Sequence, residues 1–256
     1  MNEKLKAFER LLNIMDELRA KCPWDKQQTF ESLRHLTIEE VYELGDAILD
    51  KDVALIKKEL GDILLHIIFY AKIASEQSVF DITDVINFEC EKLIHRHPHI
   101  YSDKKVENAE EVSKNWEQLK LKEGNKSVLS GVPSSLPSMV KAMRIQEKAR
   151  SAGFDWETKE QVWEKVLEEL HEFKNEVDKK NESKTKNEFG DLIFSLINYA
   201  RFINVNPEES LELTNKKFIS RFSFLEKTAG ENGKKLHDMK LEEMDKIWDE
   251  AKAKGL

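Results

Sequence analysis

Eight carboxylates recur in this chain at one spacing. Glu40, Glu43, Glu59 and Asp62 are separated by 3, 16 and 3 residues, and Glu169, Glu172, Glu188 and Asp191 repeat those intervals. The local pattern repeats too. Glu39-Glu40-Val41-Tyr42-Glu43 precedes Glu59-Leu60-Gly61-Asp62, as Glu168-Glu169-Leu170-His171-Glu172 precedes Glu188-Phe189-Gly190-Asp191. Acids on a solvated helix face scatter, because only water reads their positions. Acids held in register across two copies imply a shared partner. Four converging carboxylates repel one another and take up protons unless a cation joins them. Mg²⁺ suits such a set, since it takes oxygen ligands and retains several waters. The eight acids are therefore candidate metal ligands.

Helices must bring them together. Residues three or four apart share a helix face, so Glu40 lies beside Glu43, and Glu59 beside Asp62. The stripe Ile38, Val41, Leu44 and Ile48 is expected to face the core. A turn at Asp50-Lys51-Asp52, with Asp52 as the N-cap, makes the two helices antiparallel neighbours. Apolar periodicity predicts helices over 3–20, 37–49, 53–75 and 82–96, with a shorter one around Trp116. The helix from Val53 is apolar nearly all round after Asp62, which predicts a place in the middle of the bundle. Gly61 and Gly190 each cost about 1 kcal/mol relative to alanine in mid-helix. They predict a close helix crossing or room for a ligand.

The helical pattern restarts over 139–151, 159–178, 185–204, 207–227 and 241–253. Residues 123–138 concentrate Gly, Pro and Ser and read as a linker. No alternating strand pattern occurs. The expectation is an all-α protein of two tandem helical-bundle domains, 1–122 and 139–256, related by an internal repeat.

Composition narrows the function. A net charge of -8 argues against binding a nucleic acid polymer, yet permits a phosphate-bearing small molecule once metal neutralises the site. Cys22 and Cys90 make neither a disulfide framework nor a zinc motif, which suggests a reducing cytoplasm. The start of the chain lacks the apolar core of a secretion signal. The apolar run from Ile63 to Ala71, broken by His66, is far short of the ~20 residues that span a bilayer. His95, His97 and His99 alternate at a helix end marked by Pro98 and read as packing. Glu168 and His171 have the Glu-x-x-His step of di-iron bundles, but Tyr42 replaces the histidine in the first copy. Neither a P-loop nor a nucleophile elbow is present.

The acid pattern resembles that of the MazG family of nucleoside triphosphate pyrophosphohydrolases. Cys22-Pro23-Trp24-Asp25 with Gln28-Thr29, Phe69-Tyr70-Ala71, Arg96-His97-Pro98-His99 and Gly153-Phe154-Asp155-Trp156 are similar as well. The resemblance implies Mg²⁺-dependent hydrolysis of NTP or dNTP to NMP and pyrophosphate, in an all-α homodimer. By the same resemblance, Glu169, Glu172, Glu188 and Asp191 hold the metal in the C-terminal domain. Lys165, Glu168, Lys217, Arg221 and Trp248 fall where the family contacts nucleotide. Lysine and arginine suit phosphate oxygens, and an indole can stack on a base. Lys92 and Arg96 repeat the spacing of Lys217 and Arg221. Glu168, or a ligand carboxylate such as Glu169 or Glu172, is expected to orient the attacking water. The loop before Glu188 departs from the family at Lys184, Lys186 and Asn187. The resemblance leans towards the C-terminal site, while the residues alone leave both halves open. The alternative is a non-catalytic helical nucleotide sensor or partner-binding scaffold.

Overall fold

Side-chain caps start the long helices, and a shared kind of turn joins them. The computed structural model describes residues 2–102, 106, 108, 111, 112, 115, 116, 119 and 127–256, and among these no strand occurs. The chain divides into two compact units, Met1–Val112 and Ser113–Leu256. The first contains α1 (Glu3–Lys21), α2 (Pro23–Gln27), α3 (Phe30–Leu49), α4 (Val53–Glu76), α5 (Ile82–Arg96) and α6 (Pro98–Tyr101). The second contains a 3₁₀ turn (Val128–Gly131), α7 (Ser138–Ser151), α8 (Lys159–Asp178) and α9 (Glu182–Phe202). It continues with α10 (Pro207–Glu231), a 3₁₀ turn (Leu236–Asp238) and α11 (Leu241–Ala253). Residues 111, 112, 115, 116 and 119 are helical. The rest of the helix expected around Trp116 lies outside the described residues, as do linker residues 123–126.

Helix α3 starts well before Thr37 because Thr29 caps it. The Ser32 amide donates to Thr29 Oγ1 at 3.2 Å, and the Thr29 amide donates to Ser32 Oγ at 2.8 Å. This is a capping box with serine in the usual glutamate position. Thr158 and Gln161 build the equivalent box at α8.

The turn between the acid-bearing helices is the same in both units. Lys51 and Lys180 each adopt φ 56°, a left-handed conformation unusual for a residue with a Cβ. The amide of Asp52 then donates to Ala47 O at 3.0 Å, and that of Asn181 to Glu176 O at 3.2 Å. Such long-reach bonds close the preceding helix. As expected, Asp52 caps α4, accepting from the amides of Ala54 and Leu55 at 3.0 Å each. Asn181 caps α9 through the Lys184 amide at 3.3 Å. The matched turns fix the register of α3 on α4 and of α8 on α9. They are what bring the distant acid pairs within reach of each other.

In the first unit Met15, Leu33, Ile68, Phe69 and Ile73 form the buried core, flanked by Phe8, Leu12 and Leu65. Tyr70 stacks on Phe30 with centroids 5.8 Å apart, and its hydroxyl meets Thr37 Oγ1 at 2.7 Å. The second unit buries Val162, Val166, Ile197, Leu225, Ala229 and Ala251.

Two expectations are corrected. Ile38, Val41 and Ile48 do not face the core but are 43%, 53% and 55% exposed. Helix α4 is not enclosed all round either, since Leu60, Leu64 and Ile67 are exposed. Within the unit α4 packs against α1, α3 and α5, and these leave uncovered the stripe that the 3.6-residue period assigns to those leucines and isoleucine. In the second unit Phe189 and Leu196 are exposed on α9. Gly61 and Gly190 belong to the same picture. A Cβ on either would meet nothing within 4 Å, so no crossing within a unit demands glycine there. Among the described residues no helix is long and apolar enough to cross a membrane.

Candidate metal and nucleotide site

Each antiparallel helix pair gathers three of its four candidate ligands. Carboxylate oxygens of Glu40, Glu43 and Glu59 lie within 4.8 Å of one another, and so do those of Glu169, Glu172 and Glu188. Asp62 and Asp191 stand beside these triads. Glu59 is fully buried and Glu169 nearly so. Burial, then repulsion from Asp62, Glu43 and Glu59, holds the Glu40 carboxyl above its ordinary pKa. Burial, then Glu172, Asp191 and Glu169, does the same to Glu188. Glu40 Oε2 is a buried oxygen without a hydrogen-bond partner. Hard oxygen donors, mutual repulsion and an unpartnered buried oxygen all fit a divalent cation of the Mg²⁺ kind.

The two clusters differ in their lysines. Lys58 Nζ reaches Glu59 at 2.9 Å, Asp62 at 3.5 Å and Glu43 at 3.8 Å, so the first cluster carries a cation of its own. Its bond to Glu59, before all other influences, raises the Lys58 pKa. The repeat places Asn187 where Lys58 stands. The second cluster instead has Lys165, whose Nζ donates to Glu169 at 2.7 Å and Glu168 at 2.9 Å. Those two bonds hold the Lys165 pKa well above the ordinary lysine value. The repeat places Leu36 at that position in the first unit. Lys58 escaped the sequence reading. The signal was available, because lysine against asparagine is one of the differences between the two copies next to a ligand.

A cavity of about 530 Å³ adjoins the second cluster, lined by Lys165, Glu169 and Asp191 from the site. Its other walls include Ile145, Gln146, Phe154, Trp156, Val162 and Phe194. The loop after α7 shapes one side. Gly153 takes φ 89°, and Asp155 then receives both guanidinium nitrogens of Arg201, the Nη1 bond being 2.9 Å. That bidentate pair anchors Phe154 and Trp156 to α9. The ring of Trp163 packs on Tyr199 at 4.8 Å.

Of the remaining predicted residues, Arg221 and Trp248 come together. The guanidinium sits 5.9 Å from the indole centroid, Phe218 packs on the indole at 5.0 Å, and Arg221 Nε donates to the main-chain oxygen of Leu256 at 2.6 Å. Lys217 is on the same helix, α10. None of these three lines the cavity. In the first unit Lys92 pairs with Glu89.

These features define a class: an all-α protein with repeated helix pairs, each presenting a carboxylate cluster at its edge. The family model for the "MazG nucleotide pyrophosphohydrolase domain" matches twice, over residues 28–101 and 157–223, and so takes in both clusters. The chain is similar to the nucleoside triphosphate pyrophosphohydrolase/pyrophosphatase MazG of Thermotoga maritima, 42% identical over 257 residues and covering 98% of each chain. It is 38% identical to a nucleoside triphosphate pyrophosphohydrolase of Escherichia coli K12 over 257 residues, 97% of this chain and 98% of that one. A Bacillus subtilis protein, YabN, is 47% identical over 251 residues, 96% of this chain and 51% of its own length. The chain belongs to the MazG family.

Proposed function

We propose that this protein is a Mg²⁺-dependent nucleoside triphosphate pyrophosphohydrolase whose working site is in the second unit. One observation carries the choice of unit: the Glu169, Glu172 and Glu188 triad adjoins a cavity of about 530 Å³ that Lys165 also lines. Full-length similarity to proteins named for this activity supports the reaction.

Glu169, Glu172, Glu188 and Asp191 would hold the metal. When bound, Mg²⁺ neutralises phosphate charge and acidifies water. The chain's own groups do the rest. Lys165 leaves Glu168 and Glu169 for the phosphate oxygens and stabilises charge that grows as the bond breaks. Glu168, half-exposed beside it, is freed by that exchange and takes the proton of the attacking water. Water oxygen bonds to the α-phosphorus, and the α–β bridging oxygen leaves with pyrophosphate. Lys217 and Arg221 bind the departing phosphates, and Trp248 supports the Arg221 guanidinium. In the first unit Glu40, Glu43, Glu59 and Asp62 keep the ligand set, with Lys58 as its standing counter-ion.

The protein acts as a homodimer in the cytoplasm. The uncovered apolar stripe of Leu60, Leu64 and Ile67, with Val41 and Ile48, supports self-association, since contiguous exposed apolar surface marks interfaces. Light scattering after gel filtration tests this, and a monomer at micromolar concentration would refute it.

Product analysis tests the activity. Purified protein is incubated with NTPs and dNTPs, with Mg²⁺ and with EDTA. NMP and pyrophosphate released only with metal is the expected result. NDP with phosphate would mean that a different bond is cut, and no turnover by folded protein would favour the sensor or scaffold reading.

A further inference from the structure

Helix α11 ends in a turn that reaches back to Arg221. Gly255 takes φ 80°. Its amide donates to Lys252 O at 3.0 Å, and the Leu256 amide donates to Ala251 O at 3.1 Å. This pair of bonds is the Schellman ending of a helix, which turns on a left-handed residue. A Cβ at Gly255 would meet nothing within 4 Å, so the backbone conformation alone asks for glycine there. The turn makes two contacts with α10. Lys254 Nζ lies 4.2 Å from the centroid of the Phe224 ring, and Leu256 O accepts from Arg221 Nε at 2.6 Å.

The second contact bears on the chemistry. A guanidinium has five N–H donors, one on Nε and two on each Nη. Leu256 O takes the one on Nε, and the Trp248 ring centroid lies 5.9 Å from the guanidinium carbon. The Nη donors make the planar fork that matches phosphate oxygens. A long side chain gives up rotamer freedom when it meets a ligand, and an arginine already held at Nε gives up less. We propose that the turn at Gly255 and Leu256 is a positioning element of the nucleotide site. The main-chain oxygen of Leu256 holds the Arg221 guanidinium and leaves its two Nη groups to the phosphates. The inference rests on the reading of Arg221 as a phosphate ligand, and it extends the site to a backbone group beyond α11. A turn that merely competed with phosphate for Arg221 would act with the opposite sign.

The test is calorimetric titration of the full chain with α,β-methylene ATP, whose bridging carbon blocks the scissile bond, in Mg²⁺. Gly255→Val strains the left-handed turn, whereas Gly255→Asn places there a residue that tolerates it. Binding is expected to weaken about fivefold in Gly255→Val, the scale of one hydrogen bond, and Gly255→Asn is expected to recover most of that loss. In an Arg221→Met background Gly255→Val should cost nothing further, because two residues that act as a unit are not additive. Mn²⁺ affinity is expected to be unchanged in Gly255→Val, which a general loosening of the second unit would not allow. Unchanged or tighter binding of the analogue by Gly255→Val overturns the inference. A loss that persists in full without Arg221, or one accompanied by lost Mn²⁺ affinity, overturns it too. Gly255→Ala carries the same test with milder strain if the valine variant does not fold. Failure of the underlying reading looks different: the unaltered protein and Arg221→Met then bind the analogue equally, or neither binds it, and both readings fall.

Discussion

The two acid clusters have the same carboxylates, the same spacing and the same kind of turn behind them, yet different charge. In the first, Lys58 lies against Glu43, Glu59 and Asp62, so a monovalent cation is already built in. In the second, Asn187 takes that place, and Lys165 instead bonds Glu168 and Glu169 at the side that faces the cavity. A lysine among metal ligands competes with the metal. A lysine beside them, next to a chamber, is placed to receive phosphate. The identity of a ligand set thus says less than the cation that accompanies it. Lys58 is exposed and its ion pairs are correspondingly weak, so it lowers the cluster's affinity for metal without closing it.

Four experiments break or sharpen this contrast. The largest effect is expected for Glu172→Gln, which removes a charged ligand while keeping its shape. Turnover should fall by about 10²–10³-fold or more, the scale seen when transition-state charge loses one stabilising group. Glu43→Gln should stay near wild type, and an equal loss there would transfer the chemistry to the first unit. Next comes Lys165→Met. Loss of a charge-assisted contact to phosphate should lower kcat/KM by about 10–100-fold, and an unchanged value would remove Lys165 from the mechanism.

A reciprocal exchange is sharper though smaller. Lys58→Asn should tighten Mn²⁺ binding at the first cluster, and Asn187→Lys should weaken it at the second. Each change should be about tenfold, from one unit charge a few ångströms away in a surface-like dielectric. Calorimetric titration of both variants reads it, and shifts in the opposite sense would show that Lys58 orders the ligands rather than competing.

The smallest effect is a pH dependence. The Glu188 carboxyl is raised by burial and by Glu172, Asp191 and Glu169. A raised folded-state pKa stabilises the fold at low pH, and that contribution is lost as pH rises through the raised value. Glu188→Gln mimics the protonated form. In EDTA the variant and wild type should melt alike at low pH, and the variant should become relatively more stable as pH rises. Saturating Mg²⁺ should abolish its advantage. A variant less stable than wild type in EDTA at every pH would mean that Glu188 is held by a favourable contact instead.

Much of this was legible in the residues. Fixed spacing of Glu and Asp on helices needs only the 3.6-residue period to be read, and the Asp52 cap needs only its side-chain oxygen. The turn after Leu49 was visible as Asp-Lys-Asp, although the left-handed geometry of Lys51 was not. The inward-facing set was misjudged at Ile38, Val41 and Ile48, and beyond Asp62 at Leu64 and Ile67. Periodicity shows that a helix has an apolar stripe, but not whether a neighbour within the same unit covers it.

By itself the sequence determined the helices, the repeat and the acids, because propensity, capping and periodicity are local properties. Only the tertiary structure decided the rest. It set Lys58 against the carboxylates of one cluster and Lys165 against Glu168 and Glu169 beside the cavity of the other, and it tied Gln146 to the main-chain oxygen of Phe194. Those outcomes depend on where a neighbouring helix ends and how a loop is anchored, as Arg201 anchors Asp155. Distances between residues far apart in the chain are set by packing, and no local pattern encodes them.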